Sequence, residues 1–414
     1  MKILLKAVRI TDVKSPHNNT SKDLLIENGV IKTIATSIDV ADATVVSIPQ
    51  LHISQGWVDF KSGFNDPGSD EGGGILTGLD HAALGGFTHV GVLPTDQPTT
   101  ETRSTIDYKL SKSQHHAVQL HPLGSISKSR KGESLSEMAD MHEAGTRWFS
   151  DNLPLSTALS VKALLYTHDL NARIIFSSLS KDFNGAFQVN EGVSSTLTGL
   201  PGHPAFDEKI QVMKVVEMAR YTGSPVHISG ISSRESLPII ETAKKEGLEL
   251  SCDVHLMNLC FNEESTLDFD TCFKVMPVLR TEEDRSALVN ALKNGVIDAI
   301  VSDHQAVILD SKRVPFDEAD FGCLQLQTAF AALKKYSGLS SDQVVEWLSV
   351  RNRATFQIPM RPIDIDVAAD LTLYLTEEKT PTESLPKYLS PFVNDQLTGR
   401  AVGIIRGNQF ILNQ

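Results

Sequence analysis

Two aspartates with matching surroundings are the first candidates for chemistry in this chain. Asp151 and Asp303 each follow a β-rich run and a small polar residue, in the tripeptides Phe-Ser-Asp and Val-Ser-Asp. Carboxylates placed in this way can share a metal ion or act as general bases. An aspartate that ends a strand is also a common helix N-cap, so both interpretations stay open for each residue.

Histidines add a second candidate chemistry. His227 and His255 are the imidazoles best placed for a mononuclear metal site. Each lies in a β-rich run, where a hydrogen-bonded core histidine is the commoner explanation and the one that we favour. A hydrolytic site could be rebuilt from these two residues with Asp151, Asp303 and His304. The residue types alone indicate an acidic site without naming a reaction.

Parallel strands must position these side chains, because β-rich runs alternate with longer helical stretches from Trp57 onward, a pattern typical of βα units. The β-rich runs cover residues 56–61, 87–93, 117–121, 147–151, 173–178, 225–229, 249–255 and 298–303. Eight units close a TIM-type (β/α)8 barrel, whose chemistry lies at the carboxyl ends of its strands. The candidate residues at those ends are Asp59, Lys61, Gly63, Thr95, Asp96, Asp151, 176–178, His227, Gly230, Asp253, His255, Asp303 and His304.

Both ends of the chain have a different sequence pattern, which predicts strands without helices. Short alternating runs are predicted as strands at residues 3–7, 23–27, 30–34 and 44–48, and again at 369–375, 401–405 and 409–412. Chain termini tend to meet at a surface, so we expect the two ends to pair. The predicted α/β fold is therefore a barrel at 56–361 with a small flanking β domain built from 1–55 and 362–414.

Composition excludes several classes of protein. The 414 residues are 41% hydrophobic, which excludes disorder, and carry a net charge of −13, which argues against a nucleic-acid partner. No apolar run approaches the roughly 18 to 20 residues that cross a bilayer, so we expect no membrane partner and a cytoplasmic location. Cys252, His255 and Cys260 lie close together, but their spacing matches no zinc knuckle, and buried small side chains are the favoured interpretation.

One segment carries a family resemblance. The stretch GWVDFKSGFNDPG at 56–68 resembles the GxxDxHxHxREPG signature of the dihydroorotases of the amidohydrolase superfamily. The resemblance continues in order through AALGGFTHVGVLPTDQP, FSDN, NEGVSSTLTGLPGHPAFDE, VHISGISSRESLPII, FKVMPVLRTEEDR, IDAIVSDHQAV and ADLTLY. It implies a (β/α)8 barrel flanked by a β domain from both termini, as the texture of the chain also predicts.

The resemblance also implies a zinc site, and this sequence departs from it. Dihydroorotases bind zinc through an H-x-H pair on the first strand, an Asp or modified Lys on the fourth, and histidines on the fifth and sixth strands. The positions that lack the family's histidines are Lys61, Gly63, Ser177 and Gly230. Asp151 remains at the fourth-strand position and Asp303 at the general-base position. Zinc normally needs at least three protein ligands, so we expect no cofactor.

The substrate contacts that the resemblance implies are changed as well. Family members hold the dihydroorotate carboxylate with an Arg, two Asn and a His, and the corresponding residues here are Asn65, Thr95, Met276 and Val307. Each loss removes a contact typically worth about 1 to 3 kcal/mol. Hydrolysis of dihydroorotate is therefore not expected.

Lys61 stands where the family's first histidine reaches the metal. Strand alternation would place residues 59, 61 and 63 on one face. Without a divalent cation, buried carboxylates would be left unpaired, at a cost of several kcal/mol. We predict that the Lys61 ammonium group lies between Asp151 and Asp303; the alternative is a solvated lysine at the start of a loop.

Two functional hypotheses follow from different classes of protein. The first is a catalytically inactive dihydroorotase-like protein of pyrimidine biosynthesis, a homo-oligomer and a structural partner of aspartate carbamoyltransferase, as in the family's inactive members. The second is an active cyclic amidohydrolase that binds zinc in the rebuilt site of Asp151, His227, His255, Asp303 and His304. Zinc content separates the two hypotheses.

Overall fold

Strands form a barrel, a large flanking sheet and a two-stranded sheet in the computed structural model, which describes residues 1–68, 73–180 and 187–413. In chain order they are β1 (Lys2–Ile10), β2 (Ser21–Glu27), β3 (Val30–Ala35), β4 (Thr44–Val46), β5 (His52–Gln55), β6 (Trp57–Gly63), β7 (Phe87–Val92), β8 (Gln119–Pro122), β9 (Trp148–Phe149), β10 (Arg173–Ser177), β11 (Val189–Asn190), β12 (Gly202–His203), β13 (Val226–Ser229), β14 (Leu250–His255), β15 (Ala299–Val301), β16 (His304–Gln305), β17 (Asp370–Lys379), β18 (Thr398–Arg406) and β19 (Gln409–Leu412).

Helices follow each of the barrel strands. They are α1 (Gly74–Leu84), α2 (Arg103–Ser113), α3 (Met138–Glu143), α4 (Thr157–Asp169), α5 (Val193–Thr198), α6 (Ala205–Thr222), α7 (Leu237–Lys245), α8 (Leu256–Cys260), α9 (Glu282–Lys293), α10 (Ala329–Tyr336), α11 (Ser341–Glu346) and α12 (Asn352–Thr355). Within the described ranges, no helix combines the length and the apolar character that crossing a membrane requires.

The eight predicted β runs are the eight barrel strands. Parallel ladders join β6 to β7 and β8, and join β9 to β10, β13, β14 and β15. A bridge between Gly124 and Phe149 connects the two groups on one side, and the pairing of His304 with Ser62 closes the barrel on the other. The predicted TIM-type (β/α)8 fold is thus confirmed.

Strands from both termini form one sheet beside the barrel. Its order is β19-β18-β17-β5-β1-β2-β3, and β4 pairs with β1. The two ends meet where β5 runs antiparallel to β17. The sequence predicts seven of these eight strands and misses β5, which a single residue separates from the first barrel strand. The domain boundaries at 55 and 361 stay predictions, and Gln414 lies outside the described residues.

A buried charged network fixes this sheet against the barrel. The Asp370 carboxylate, on β17, lies 2.8 Å from His89 Nε2 on the second barrel strand. It also accepts a hydrogen bond from Arg353 Nη2 at 2.8 Å. The same guanidinium group donates to the Gly56 carbonyl, directly before the first barrel strand. His89 and Arg353 hold the pKa of Asp370 well below its ordinary value, although burial acts in the opposite direction. This network therefore holds the start of β6 next to β17. Lys61 lies further along the same strand.

Candidate functional site

A cavity of about 240 Å³ opens at the carboxyl ends of the barrel strands. Its lining residues come from the ends of several strands and from the loops that follow them: Lys61, Arg130, Asn152, Leu153, Ser177, Leu179, Ser229, Met276, Pro277, Asp303, Gln305, Phe321 and Gly322. This is the place where TIM barrels hold their chemistry. The cavity therefore defines the candidate functional site.

A β-bulge in the first barrel strand brings Lys61 into this cavity. The pairing of β6 with β7 shifts register between Asp59 and Ser62, so β6 has one extra residue there. Phe60 stacks on Phe356 inside the barrel, whereas the Asp59 carboxylate accepts hydrogen bonds from the backbone N–H of Ser302 and from Ser62. The prediction that 59, 61 and 63 share one face is therefore wrong for Asp59, because strict alternation breaks at the bulge.

The Lys61 ammonium group lies between two carboxylates. Its Nζ atom is 3.9 Å from Asp303 Oδ1, and it donates a hydrogen bond to Ser229 Oγ at 3.1 Å. Ser229 in turn donates to Asp253 Oδ1 at 3.1 Å. The Lys61 side chain is only 8% exposed, so it is not the solvated lysine of the alternative interpretation. The predicted ion pair with Asp303 is confirmed, and Asp253 is its second, indirect partner.

Asp151 is not the second partner of Lys61. Its carboxylate accepts hydrogen bonds from the backbone N–H groups of Ile126 and Ser127, at 2.7 and 3.0 Å, and from the Ser127 hydroxyl. No ion pair joins it to Lys61 in the described part of the chain, so that prediction is wrong. The reason is local: the buried backbone N–H groups of the loop after β8 lie within reach of the carboxylate and donate to it. Asp151 therefore fixes a loop and is not a helix N-cap, since α4 begins at Thr157.

Asp253 has three hydrogen-bond partners in the described structure. It lies 2.9 Å from His227 Nε2, and it accepts from Ser229 Oγ and from the Gly230 N–H. Burial raises the pKa of Asp253, but the hydrogen bond and charge of His227 and other neighbours outweigh it and bring this pKa to about 2. The other ring nitrogen of His227 lies 2.8 Å from Ser251 Oγ. His227 is thus a hydrogen-bonded core histidine, as favoured.

Asp303 has a very different environment from Asp253. Burial raises the pKa of Asp303 to about 7, although the Lys61 charge acts to lower it. Its Oδ2 atom lies 3.5 Å from Nδ1 of His255. Burial lowers the pKa of His255 well below its ordinary value, so this imidazole is neutral at pH 7. Lys61 is therefore the cation that lies next to Asp303.

His304 points away from the cavity. Its Nδ1 atom accepts hydrogen bonds from the backbone N–H groups of Gln325 and Leu326, at 3.0 and 3.3 Å. Its ring packs edge-on against Phe64 and His81. The rebuilt hydrolytic site is therefore not assembled as predicted, because the structure brings Asp303 and His255 together but separates them from His304. His227 and Asp151 are likewise engaged by other partners, as described above.

The four altered substrate-contact positions are scattered. Met276 lines the cavity, whereas Asn65 donates its Nδ2 hydrogen bond to the Ala306 carbonyl at 3.1 Å. The Thr95 hydroxyl is buried without a partner in the described residues. Val307 follows directly after Ala306 and does not line the cavity. These positions do not form a carboxylate clamp.

The side chains at the family's metal-ligand positions do not fit a zinc ion. Lys61 supplies an ammonium group, Ser177 a hydroxyl, and Gly63 and Gly230 supply no side chain. Space for an imidazole is also restricted, because a Cβ atom on Gly230 would lie 2.9 Å from His255 Nε2, and Gly230 has a φ of +83°. Positive φ strains any residue with a Cβ atom. The first of the imidazole ligands that the family resemblance implies is therefore replaced by a cation, which would repel the metal.

The cysteines offer no substitute site. Cys252 and Cys260 are buried free thiols, and burial raises the pKa of each well above its ordinary value. A thiol must lose its proton to bind zinc. The interpretation as buried small side chains is supported.

Sequence reasoning missed two members of the site and one partnership. Ser229 and Arg130 were not singled out, and Asp253 was noted at a strand end without a partner. Ser229 and Asp253 lie on the adjacent strands β13 and β14, so their contact follows from the parallel register. Arg130 lies in a loop, and no local pattern distinguishes it.

Several known proteins are similar to this chain in sequence or in fold. Residues 52–236 match the sequence family described as dihydro-orotase-like. The chain is 35% identical over 317 residues to the dihydroorotase of Caldanaerobacter subterraneus subsp. tengcongensis, covering 76% of this chain and 74% of that relative. It is 31% identical over 415 residues to the dihydroorotase of Geotalea daltonii, covering 97% of each. L-hydantoinase (dihydropyrimidinase) from Arthrobacter aurescens is similar in fold, with a TM-score of 0.83, 19% identity, and coverage of 99% of this chain and 96% of that one.

The position of Lys61 predicts a pH-dependent loss of stability on its removal. Lys61→Met should lower the free energy of unfolding by about 3 kcal/mol at pH 8.5, because Asp303 then lacks its cation. The folded-state pKa of Asp303 is raised to about 7, so below pH 7 this carboxyl is already protonated and less depends on the ammonium group. The cost should therefore be smaller by about 1 kcal/mol or more at pH 5.5.

Urea denaturation at the two pH values measures this effect. Lys209→Met is the matched control, because Lys209 forms an exposed pair with Glu235 and its loss should change stability by less than about 0.5 kcal/mol. A cost for Lys61→Met as small as that of the control would place its ammonium group in solvent.

Proposed function

The chain belongs to the dihydroorotase-like family, and on this premise we propose that it is a catalytically inactive member that acts as a structural partner of aspartate carbamoyltransferase. The family is one of pyrimidine-pathway amidohydrolases, and the barrel is of the amidohydrolase type. Inactivity and partnership are the two parts of the proposal. They are supported by different observations and tested separately.

The ammonium group of Lys61 carries the first part. It occupies the position from which the family's first histidine reaches zinc, and it lies 3.9 Å from Asp303, at the family's general-base position. Zinc activates the attacking water and polarises the amide carbonyl in such hydrolases. An ammonium group can balance charge but cannot coordinate water. The substitution thus supports retention of the fold without the reaction.

Asp303 is also poorly suited to act as a base in this environment. A general base for cyclic amide hydrolysis must take a proton from an activated water molecule within hydrogen-bond reach. Here the carboxylate has Lys61 beside it and accepts a hydrogen bond from Gln305 Nε2 at 3.2 Å. Lys61 and Gln305 therefore hold the Asp303 carboxylate in position, and neither of them can activate a water molecule for attack. The arrangement supports a structural role for Asp303.

The second part of the proposal concerns the partner. The fold of the family is complete, including the barrel and the sheet from both termini, while the ligand and substrate positions are changed. In the family's inactive members, such a chain holds aspartate carbamoyltransferase in its assembly. Binding of a protein partner would explain why the fold is kept while the metal-ligand and substrate-contact residues are changed. We propose a homo-oligomeric, cytoplasmic assembly on the same grounds.

One surface is suited to a first test of this partnership. Helix α6 exposes Ile210 and Met213, which are 54 and 49% exposed. Residues at this spacing share one face of a helix. Nearby in the chain, Val193 and Leu197 on α5 are 66 and 67% exposed. Clustered exposed apolar side chains are typical of protein interaction surfaces.

An active cyclic amidohydrolase is the second candidate function, and one observation favours it. Burial raises the pKa of Asp303 to about 7, which is the range that suits a general base at neutral pH, and this carboxyl faces a cavity. In this alternative, a zinc ion would be bound near Asp303 and His255 in place of the Lys61 contact. Metal content decides between the two candidates.

We predict that protein purified without chelators contains less than about a tenth of an equivalent of zinc, because the ligand positions lack imidazoles. It should show no dihydroorotase activity in either direction. Lys61→His, Gly63→His should remain equally low in zinc, since positions 177 and 230 still lack ligands. Metal analysis of both proteins measures this, and stoichiometric zinc in the wild-type protein would favour the active hydrolase.

Co-expression with aspartate carbamoyltransferase of the same organism should yield a complex that co-elutes in size exclusion. We expect a buried interface above about 1,000 Å², and association that slows as salt rises if the net charge of −13 steers the encounter. Ile210→Glu, Met213→Glu should weaken co-elution, whereas Val45→Glu, an exposed apolar position on β4, is the control. Separate elution at micromolar concentration, with a fully assembled and active transcarbamoylase alone, would contradict the partnership.

A further inference from the structure

Two imidazoles extend the charged network that holds the flanking sheet against the barrel. His89 Nδ1, on β7, lies 3.0 Å from His121 Nε2 on the neighbouring strand β8, and the two rings stack with their centroids 5.2 Å apart. The other ring nitrogen of His89, Nε2, lies 2.8 Å from the Asp370 carboxylate on β17. A continuous chain of hydrogen bonds therefore runs from the flanking sheet into two barrel strands.

This chain of hydrogen bonds is complete when both rings are neutral. Burial raises the pKa of Asp370, but its neighbours bring it well below its ordinary value, so the carboxylate is ionised and can only accept. His89 Nε2 therefore carries a proton, which leaves Nδ1 of the neutral ring to accept from the Nε2–H group of His121. Protonation of both rings would instead place two N–H donors face to face, 3.0 Å apart.

The surroundings of the pair oppose its protonation. Burial lowers the pKa of His89, and it lowers that of His121 well below its ordinary value. Asp370 acts in the opposite direction, but the same carboxylate oxygen also accepts from Arg353 Nη2 at 2.8 Å, so its charge is shared. Arg353 on α12 and Arg406 on β18 both add positive charge near the two rings. The folded protein therefore keeps the pair neutral at pH 7.

Separation of the flanking sheet from the barrel would expose these rings to water. Solvent already reaches the pair through His121, which is half-buried, whereas His89 is 5% exposed and the uncharged ring of Phe60 packs against His121. An exposed imidazole has a pKa of about 6.5, so the separated state binds protons that the closed state does not. The stability that the neutral pair contributes is therefore present above about pH 6.5 and is lost as the pH falls below it.

We propose that the His89–His121 pair is an acid-sensitive lock, which holds β17 against β7 while both rings are neutral and releases it when the rings take up protons. The Arg353 guanidinium group, which donates to the Gly56 carbonyl and to Asp370, keeps its charge throughout this range. The two imidazoles are thus the part of the network that responds between pH 5 and 8. The inference does not depend on the proposed inactivity or on the proposed partnership.

A thiol placed at the junction tests the lock in the full chain. Thr372 on β17 is fully buried, accepts from the Trp57 N–H at 3.1 Å and donates to the Gly86 carbonyl at 2.6 Å. Thr372→Cys is close in volume, and its thiol can be modified only when the sheet separates from the barrel. The four native cysteines are buried, so their modification reports unfolding of the barrel itself.

The probe is 4,4′-dithiodipyridine at pH 7.5 and 5.5, with each rate divided by that of a model thiol and each site identified by mass spectrometry. The introduced thiol should react about 10 to 100 times faster at pH 5.5, because each imidazole with an exposed pKa near 6.5 contributes about tenfold. It should also react faster than the native cysteines. Absence of acceleration, or equal rates at all five thiols, would overturn the lock.

Replacement of the imidazoles assigns the acceleration. In the Thr372→Cys background, His89→Gln, His121→Gln keeps amide donors but cannot titrate, so the acceleration should fall below about threefold. His168→Gln is the control, because His168 is an exposed histidine on α4 and should leave the acceleration unchanged. Full acceleration in the double variant would overturn the assignment to this pair.

A measurement on the wild-type protein does not depend on the folding of any variant. The imidazole signals are followed by NMR from pH 7.5 to 5.5, and the His121 signal is identified by its loss in His121→Gln. We expect no titration of this signal in the folded protein. Titration with an ordinary midpoint near about 6.5 would show that the ring takes up its proton without opening, and would overturn the lock.

Discussion

The pairing of one lysine with two buried carboxylates is the constraint on which the barrel mouth depends. Asp253 and Asp303 converge from neighbouring strands, and charges of like sign cannot be buried together without a counter-ion. Lys61 contacts Asp303 directly and Asp253 through Ser229. His255 is neutral at pH 7 because burial lowers its pKa, so it supplies no charge. The ammonium group thus places a positive charge at the position that the family resemblance assigns to the first zinc-binding histidine.

The architecture around this contact could largely be predicted from the sequence. Eight β-rich runs with intervening helices give the barrel, because periodicity and strand length are local properties. The pairing of Lys61 with Asp303 followed from strand ends that meet at one edge. Asp151 was misassigned because its carboxylate is captured by the N–H groups of a loop, Ile126 and Ser127, whose path depends on tertiary contacts. Strict strand alternation does not predict the β-bulge after Asp59, although Gly91, which lies opposite the bulge on β7, is a sequence signal for it.

The proposed function depends on two comparisons with the family: the fold is kept, and the residues at the metal-ligand positions are changed. Curated relatives that align along nearly the whole chain are dihydroorotases, so the fold is shared from end to end. The ligand positions have lost their imidazoles, and Gly230 leaves no space for one beside His255. At the barrel mouth, the Lys61 ammonium group lies beside Asp303, at positions that the family resemblance assigns to a zinc ligand and to the general base.

A double-mutant cycle between Lys61 and Asp303 tests the central claim most directly. The free energies of unfolding of the wild-type protein, Lys61→Met, Asp303→Asn and the double variant are measured at pH 8.5, where Asp303 is charged because its pKa is about 7. If the ammonium group replaces the metal as counter-ion, the coupling energy should be at least about 1.5 kcal/mol, and the double variant should be more stable than Lys61→Met. A coupling energy below about 0.3 kcal/mol would show that the two groups are independent and would contradict the account.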